Sequence, residues 1–274
     1  MCDLDGCGNH DDMPPIIVPQ TKRRDFIKGL SSLPIAAVLA DPILSAAAAE
    51  RGEMKSIKGP DGTTANGYLA KPKNHKAPTI ILIHEWWGLN DQIKAVANDL
   101  AEQGYFAYAI DLYGGKATRK SDQARNLMNA VNPAKATAKL ATAINHFHQH
   151  PHGNGKVGTV GWCFGGGWSL NASIAAPVDA TVIYYGNLKR DAADLTKLKG
   201  PVLGHFGDQD GWINPEMVAG FEAQMKKAGK AANLQTFTYS ANHAFANPTS
   251  ARYDAEDAAT AWQRTLDFFK RNLA

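Results

Sequence analysis

Apolar and polar positions along this chain fall into two alternating patterns. Residues 78–84 form an apolar run that ends on a histidine, as expected of a strand buried on both faces of a sheet. Residues 92–104 instead show the spacing of an amphipathic helix. Similar runs predict strands over 106–111, 156–160, 180–185, 201–206 and 234–239, and helices over 124–131, 133–148, 168–175, 215–227 and 254–273.

Strands that alternate with helices predict an α/β fold, with a mostly parallel, doubly wound sheet covered by helices on both faces. Residues 54–69 precede this alternation and predict two edge strands around a turn at 59–62. Residues 50–274 contain no internal repeat and no linker-like divider, so a single domain is expected there. In such a sheet, functional residues are expected at the carboxyl ends of the strands.

The composition is that of an ordinary globular protein, since 44% of the 274 residues are hydrophobic and 20% are charged. The formal net charge of +3 is small, and no basic cluster is interleaved with aromatic residues. We therefore expect no nucleic-acid partner. We also expect a monomer.

The N-terminal part differs from the rest of the chain. Arg23 and Arg24 precede an apolar run over residues 29–40, and small residues over 44–49 offer cleavage sites. These parts in this order predict a twin-arginine export signal, residues 1–49, that is removed near its end. The protein is then expected to use the twin-arginine export machinery and to reach the periplasm or the medium. The apolar run is too short to span a bilayer, so no membrane anchor is expected. The alternative is a disordered basic tail before an ordinary helix.

Residues 161–165, Gly-Trp-Cys-Phe-Gly, lie between a predicted strand and a predicted helix. This order is the pattern of a nucleophile elbow, a tight turn that exposes its middle side chain. A helix that begins there directs N–H groups and the positive end of its dipole towards the Cys163 sulfur, which favours the thiolate. Without residues 1–49, Cys163 is the one cysteine of three that remains, which indicates a reactive thiol. The alternative is a buried cysteine in a glycine-rich turn.

Two further strand ends carry groups that complement a cysteine nucleophile. The strand over 201–206 leads to Asp208 and Asp210, and the strand over 234–239 leads to His243. Nucleophile, acid and histidine follow one another in the α/β-hydrolase order, so an α/β-hydrolase fold is predicted. His243 is then the general base and acid, and Asp210 holds its tautomer. Asp208 is the alternative acid, although it suits a turn. Taken singly, each is also an ordinary loop residue.

The loop after the first buried strand supplies further candidates. In this fold the oxyanion donors come from the residue after the nucleophile and from the loop of an early strand, which predicts the backbone N–H groups of Phe164 and Trp86. Glu85, in the same loop, is a carboxylate that follows an apolar strand and needs a partner. The alternative for Glu85 is a solvated loop acid. Trp87 and Trp212, near two strand ends, indicate an aromatic-lined pocket, with core packing as the alternative.

Five motifs of this chain occur together: Glu85-x-x-Gly88-Leu89-Asn90, Asp111-Leu112-Tyr113, Gly161-x-Cys163-x-Gly165-Gly166, Gly207-x-x-Asp210 with Pro215, and His243-x-Phe245. Together they resemble the dienelactone hydrolase family, the cysteine branch of the α/β-hydrolases. The resemblance covers essentially all of residues 50–274. It implies that Cys163, Asp210 and His243 form a catalytic triad. It also implies that Glu85 is an additional carboxylate that takes the thiol proton when substrate binds.

The chain departs from the family pattern at two positions. Characterised members hold a substrate carboxylate with two arginines, and the matching positions here are Gly115 and Asn247. The departure argues against a dienelactone as the natural substrate. The candidate pocket residues are Trp87, Tyr113, Trp212, Phe245 and Asn247.

The leading hypothesis is an exported hydrolase that cleaves a small carboxylic ester or lactone. Cys163 attacks the carbonyl to form a thioester, and His243 protonates the leaving alkoxide and then activates water. No metal or organic cofactor is expected. The alternatives are an acyl or thiol transferase that uses the same thioester, and a binding module that kept the fold without catalysis.

Overall fold

The computed structural model describes residues 35–274. The predicted order of strands and helices is confirmed, with shifts of a few residues at element ends. Two short helices, a one-turn helix and a 3-10 helix at Ala231–Asn233 add to it. The elements are α1 (Ile35–Ala40), α2 (Pro42–Ala49), β1 (Glu53–Lys58), β2 (Thr64–Ala70), β3 (Ala77–Ile83), α3 (Asp91–Glu102), β4 (Phe106–Ile110), α4 (Ser121–Asn129), α5 (Pro133–His148), β5 (Gly153–Trp162), α6 (Phe164–Ala175), β6 (Ala180–Tyr184), α7 (Ala192–Leu195), β7 (Val202–Gly207), α8 (Pro215–Lys227), β8 (Leu234–Tyr239) and α9 (Ala255–Leu273).

Eight strands form one sheet in the order β1-β2-β4-β3-β5-β6-β7-β8. The pairs β1/β2 and β2/β4 are antiparallel, and every other pair is parallel. The α/β class and the mostly parallel, doubly wound sheet are therefore confirmed. Because β3, β5, β6, β7 and β8 run in the same direction, the loops after their carboxyl ends emerge at one edge of the sheet.

Successive residues of β3 belong to two different cores, which explains its continuous apolar sequence. Ile80 and Leu82 share a core with residues of α3 and α9, whereas Ile81 and Ile83 share one with residues of α5 and α6. All four side chains are fully buried. Burial of each such side chain contributes roughly 1.5–3 kcal/mol, so the strand is held firmly where it leads into the site.

Helices α1 and α2 pack against α3 on one side of the sheet. The amide of Gln92 donates to the carbonyl of Leu39 at 2.9 Å, and the amide of Asn98 donates to the carbonyl of Ala48 at 2.8 Å. These helices lie within the predicted export signal, whose arginine pair falls outside the described residues. None of the helices in residues 35–274 has the length and apolar character needed to cross a membrane.

Candidate active site

The turn between β5 and α6 places Cys163 in a backbone conformation that few residues adopt. Its φ and ψ are 55° and −115°, a strained combination of the kind concentrated at functional sites. A Cβ atom on Gly161 would lie 2.0 Å from the carbonyl oxygen of Gly165, and one on Gly165 would lie 2.2 Å from the carbonyl oxygen of Ile83. The two glycines are therefore required by the close approach of β5, α6 and β3. The predicted elbow geometry is present, with Cys163 half-buried at its tip.

The first residue of α6 is Phe164, directly after Cys163. The N–H groups of the first helical turn have no partner within the helix, and they carry the positive end of the helix dipole. The N–H of Phe164 is thus suited to donate a hydrogen bond to an oxyanion that forms beside the sulfur. Trp86 lies in a turn closed by the N–H of Gly88, which donates to the carbonyl of Glu85 at 3.2 Å. That turn bond does not use the N–H of Trp86.

A buried acid and a buried imidazole form a close pair at the ends of β7 and β8. Oδ2 of Asp210 and Nδ1 of His243 are 2.6 Å apart, and the residues are 2% and 4% exposed. Oδ1 of Asp210 also accepts the N–H groups of Trp212 at 2.8 Å and Ile213 at 3.0 Å. Burial alone would raise the pKa of Asp210, but the hydrogen bond and charge of His243, together with these N–H groups, hold that pKa below its ordinary value. Asp208 is exposed and does not take this place.

The imidazole of His243 is held on two sides by aromatic rings. Trp212 meets it edge-on with ring centroids 5.1 Å apart, and Tyr185 lies at the same distance in a tilted arrangement. Since Nδ1 is engaged by Asp210, Nε2 is the ring nitrogen left for proton transfer. Cys163 and His243 line one cavity of about 410 Å³, here called the nucleophile cavity. The structure thus places Cys163 and His243, the two candidates suggested by their order in the chain, at the same cavity.

Glu85 lies beside a second, mainly apolar cavity of about 240 Å³ that shares Tyr185 with the nucleophile cavity. The carboxylate is 7% exposed, and its Oε2 accepts the side-chain amide of Asn247 at 2.6 Å. Oδ1 of Asn247 accepts the N–H and hydroxyl of Thr249, which fixes the amide with its NH₂ group towards Glu85. A neutral amide, at the position where the family resemblance calls for arginine, therefore donates to this buried carboxylate.

His84 supports this loop and was not recognised from the sequence. It is fully buried, its Nε2 accepts the N–H of Leu112 at 3.2 Å, and its Nδ1 lies 2.6 Å from the carbonyl of Glu85. Nδ1 must then carry the ring proton and donate it to that carbonyl. Burial lowers the pKa of His84 to about 4, so the ring stays neutral and acts as a fixed brace. A histidine that ends an apolar strand was the available signal.

The candidate pocket residues occupy different places. Trp212 lines the nucleophile cavity, whereas Trp87 lines a separate cavity that also contains Gly115 and Asn247. Tyr113 packs edge-on against His84 and is not part of the lining of the nucleophile cavity. Phe245 is fully buried in the core against two tyrosines, because its ring faces inward from the histidine loop. Phe245 can therefore act on a pocket only indirectly, through the core residues that its ring contacts.

The loop after β6 contributes residues that the sequence did not single out. Asn187, Lys189 and Arg190 line the nucleophile cavity, together with Met128 and Asn171 from two helices. The position of the loop after a parallel strand was a signal, but its residues form no recognisable motif. Within residues 35–274, no group of three or more His, Cys, Asp or Glu side chains is arranged to hold a metal ion.

The comparison with known families settles the membership of this chain. The sequence model of the dienelactone hydrolase family matches residues 65–273. The chain belongs to the dienelactone hydrolase family. It is 34% identical over 226 residues to a carboxymethylenebutenolidase from Pseudomonas putida, covering 78% of this chain and 94% of that protein. It is 25% identical over 221 residues to carboxymethylenebutenolidase 1 from Cupriavidus pinatubonensis, covering 77% of this chain and 93% of that protein.

Solved structures agree with this family assignment. A candidate dienelactone hydrolase from Klebsiella pneumoniae superposes with a TM-score of 0.72 at 26% identity, covering 80% of this chain and 98% of that one. A dienelactone hydrolase-like promiscuous phosphotriesterase from metagenomic libraries shares the fold, with a TM-score of 0.72 at 23% identity and coverage of 82% and 100%. The predicted class is confirmed at the level of the family: the chain is a hydrolase that acts on ester or lactone bonds.

Proposed function

We propose that this hydrolase cleaves a small carboxylic ester or lactone through a thioester on Cys163, with His243 and Asp210 as the other members of the triad. One observation carries the proposal: Cys163 and His243 line the same cavity, while His243 is held at 2.6 Å by a buried Asp210. A buried carboxylate on Nδ1 fixes the tautomer that a general base needs and stabilises the imidazolium that forms. The strained elbow supports the role of Cys163 as nucleophile.

The reaction divides into acylation and deacylation. The Cys163 thiol loses its proton, the thiolate attacks the carbonyl carbon, and the oxyanion accepts the N–H groups of Phe164 and Trp86. Collapse breaks the bond to the leaving oxygen, which takes the proton from His243. A water molecule then gives a proton to His243 and attacks the thioester, and the acid product leaves. The same proton returns to the sulfur, so the enzyme regains its starting state.

Glu85 is assigned as the first acceptor of the thiol proton, which passes on to His243. Its Oε2 accepts the side-chain amide of Asn247 at 2.6 Å, which holds the carboxylate in a fixed position. Glu85 is the second residue after β3, and Gly165 of α6 closely approaches the carbonyls of Ile83 and His84 just before it. Because Glu85 takes this proton only when substrate binds, the proton stays on the sulfur in the resting enzyme, where the thiol is less prone to oxidation than a thiolate.

Substitution of the nucleophile tests the mechanism. Cys163→Ala is expected to abolish hydrolysis of 4-nitrophenyl acetate, while Cys163→Ser is expected to leave a trace. Cys7→Ala is the matched control and should behave as the parent protein. His243→Ala should accumulate an acetyl group on Cys163, visible as a mass increase in a digest. Full activity of Cys163→Ala on every ester that the parent cleaves would refute the proposal.

We further propose that residues 1–49 direct twin-arginine export and are removed near Ala49, which leaves one domain, residues 50–274, as a monomer in the periplasm or the medium. The support is the order of the arginine pair, the apolar run and the small residues in the sequence. Replacing Arg23 and Arg24 by lysine should retain the protein inside the cell in a fractionation experiment. Lys22→Arg is the control and should be exported. Equal export of both variants would exclude this route.

A further inference from the structure

The lining of the nucleophile cavity has an uneven distribution of charge. Lys189 and Arg190 contribute two cations from the loop after β6, and no aspartate or glutamate is among the described residues that line it. The rest of the wall is mainly aromatic and aliphatic, apart from two asparagines and the candidate catalytic groups. Two cations on one side of a cavity that contains the nucleophile attract an anionic group on the substrate.

Arg190 is held in place by the helix that begins at the nucleophile. Its Nε donates to Oδ1 of Asn171 at 3.0 Å, its Nη2 donates to the carbonyl of Gly167 at 3.3 Å, and its Nη1 donates to the carbonyl of Lys189. A guanidinium has five N–H donors, so two remain, one on each terminal nitrogen. Each terminal nitrogen therefore keeps one N–H donor, and such charged donors form strong hydrogen bonds with a carboxylate.

The charge of Arg190 is not consumed by a neighbouring acid. No carboxylate of residues 35–274 forms an ion pair with it within 4.0 Å. Asp194 is the acid that influences it, and that carboxylate is paired with Lys197 at 2.7 Å. Burial lowers the pKa of Arg190, partly opposed by Asp194, but a guanidinium remains protonated at every physiological pH.

The loop that carries these cations is itself fixed against α6. Tyr185 has a φ of 36°, and a Cβ atom on Gly186 would lie 2.3 Å from the carbonyl carbon of Gly166. The side chain of Asn187 accepts the N–H of Lys189 at 2.9 Å. The course of this loop towards Arg190 is therefore set by its close backbone contact with α6, and not by interactions of Lys189 or Arg190.

The two residues of α6 that bind Arg190 indicate how far its guanidinium lies from the Cys163 sulfur. Gly167 and Asn171 lie four and eight residues beyond Cys163 on α6. At about 1.5 Å per residue these anchors are roughly 6 and 12 Å along the helix from the nucleophile. A carboxylate bound there is separated from the scissile carbonyl by several bonds.

We propose that Arg190 and Lys189 bind a substrate carboxylate at the far side of the nucleophile cavity, so that the preferred substrates are esters or lactones that carry a carboxylate several bonds from the scissile carbonyl. This rests on the proposed function, because it assumes that acyl transfer occurs at Cys163. Lys189 and Arg190 are binding residues in this proposal and take no part in the transfer of protons.

Matched probes separate the charge from the size of the substrate. Mono-4-nitrophenyl suberate and 4-nitrophenyl octanoate share chain length and leaving group, and only the first carries a carboxylate. A second pair, 4-carboxyphenyl acetate and its methyl ester, places the charge on the leaving group. The variants are Arg190→Gln, Arg190→Lys and Lys189→Gln in the full chain. Lys199→Gln, which removes an exposed cation outside the nucleophile cavity, is the control.

Arg190→Gln is expected to raise KM for the charged member of at least one pair by about tenfold, as for loss of a charge-assisted hydrogen bond. The change on the neutral member should stay below about twofold, and kcat should be nearly constant. Lys189→Gln should have a smaller effect of the same kind, Arg190→Lys should retain part of the preference, and Lys199→Gln should retain all of it. Added salt should weaken the preference of the parent protein.

Equal losses on the charged and neutral members would show that Arg190 only supports the fold, and no loss on any charged probe would also overturn the inference. Cys163-dependent cleavage of the neutral esters in either case would leave the proposed function standing. Cleavage that survives Cys163→Ala would instead refute the proposed function, and the inference with it.

Discussion

Asp210→Asn is the substitution that probes the candidate triad most directly. The carboxylate accepts Nδ1–H of His243 on Oδ2 and two backbone N–H groups, from Trp212 and Ile213, on Oδ1. Asparagine keeps one acceptor oxygen, and the two N–H groups of the loop will hold it. The amide NH₂ group then faces His243, so the imidazole must accept on Nδ1 and carry its proton on Nε2. In that tautomer Nε2 cannot take a proton from the thiol or from water.

The expected loss follows from the bonds that change. A hydrogen bond to a charged group contributes roughly 1.5–3 kcal/mol, and this one strengthens when the imidazole becomes charged in the transition state. That energy alone corresponds to a decrease of about 10- to 150-fold in kcat/KM, at 1.4 kcal/mol for each factor of ten. The wrong tautomer adds to it, so we expect a decrease of at least about 100-fold, mostly in kcat.

The assay is the steady-state hydrolysis of 4-nitrophenyl acetate, with urea unfolding as a check that the variant is folded. Asp208→Asn is the matched control, since it changes an exposed carboxylate two residues away and should leave kcat within about twofold. A folded Asp210→Asn protein that lost less than about threefold in kcat/KM would refute the reasoning. An equal loss in Asp208→Asn would refute it as well.

Two further predictions concern the fold. Gly161→Ala should lower the free energy of unfolding by more than about 3 kcal/mol in urea, because its Cβ would lie 2.0 Å from the carbonyl of Gly165. Gly220→Ala lies in α8, where the added Cβ meets no atom within 4 Å apart from the neighbouring backbone of that helix, so it should instead raise the free energy of unfolding by about 0.5–1 kcal/mol. A similar loss in both variants would contradict the argument. Burial raises the pKa of Asp99 from 3.8 to about 6, so the folded protein binds this proton more tightly than the unfolded chain and loses stability as pH rises between those values. Asp99→Asn should therefore raise the free energy of unfolding by about 1 kcal/mol at pH 7.5, a figure reduced for the partial exposure of the side chain, and leave it unchanged near pH 3. A stabilisation that persists at pH 3 would exclude this cause.

Local patterns in the sequence were sufficient for the elements and for the main candidates. Helix α5 begins where Asn132 caps it and Pro133 occupies the first turn, and its bounds are those that the apolar spacing predicted. The strand order of an α/β sheet then placed the ends of β5, β7 and β8 at one edge. For this reason Cys163, Asp210 and His243 were found as candidates before any distance was known.

The choice between neighbouring residues required the three-dimensional structure. Asp208 and Asp210 are two positions apart in the same loop, yet one is exposed and the other is buried against His243. Burial and hydrogen bonding depend on what packs over the loop, which no local pattern records. The same holds for Phe245, whose motif position suggested a pocket and whose ring lies in the core.

The sequence by itself determined the secondary structure, the class of fold and the chain order of the candidate catalytic groups, because these depend on periodicity and on turns within a few residues. Only the tertiary structure decided which acid meets the imidazole, that Asn247 holds Glu85, and that Lys189 and Arg190 face the sulfur's cavity. Those contacts join residues that are far apart in the chain, and their partners are selected by packing of the whole sheet and its helices.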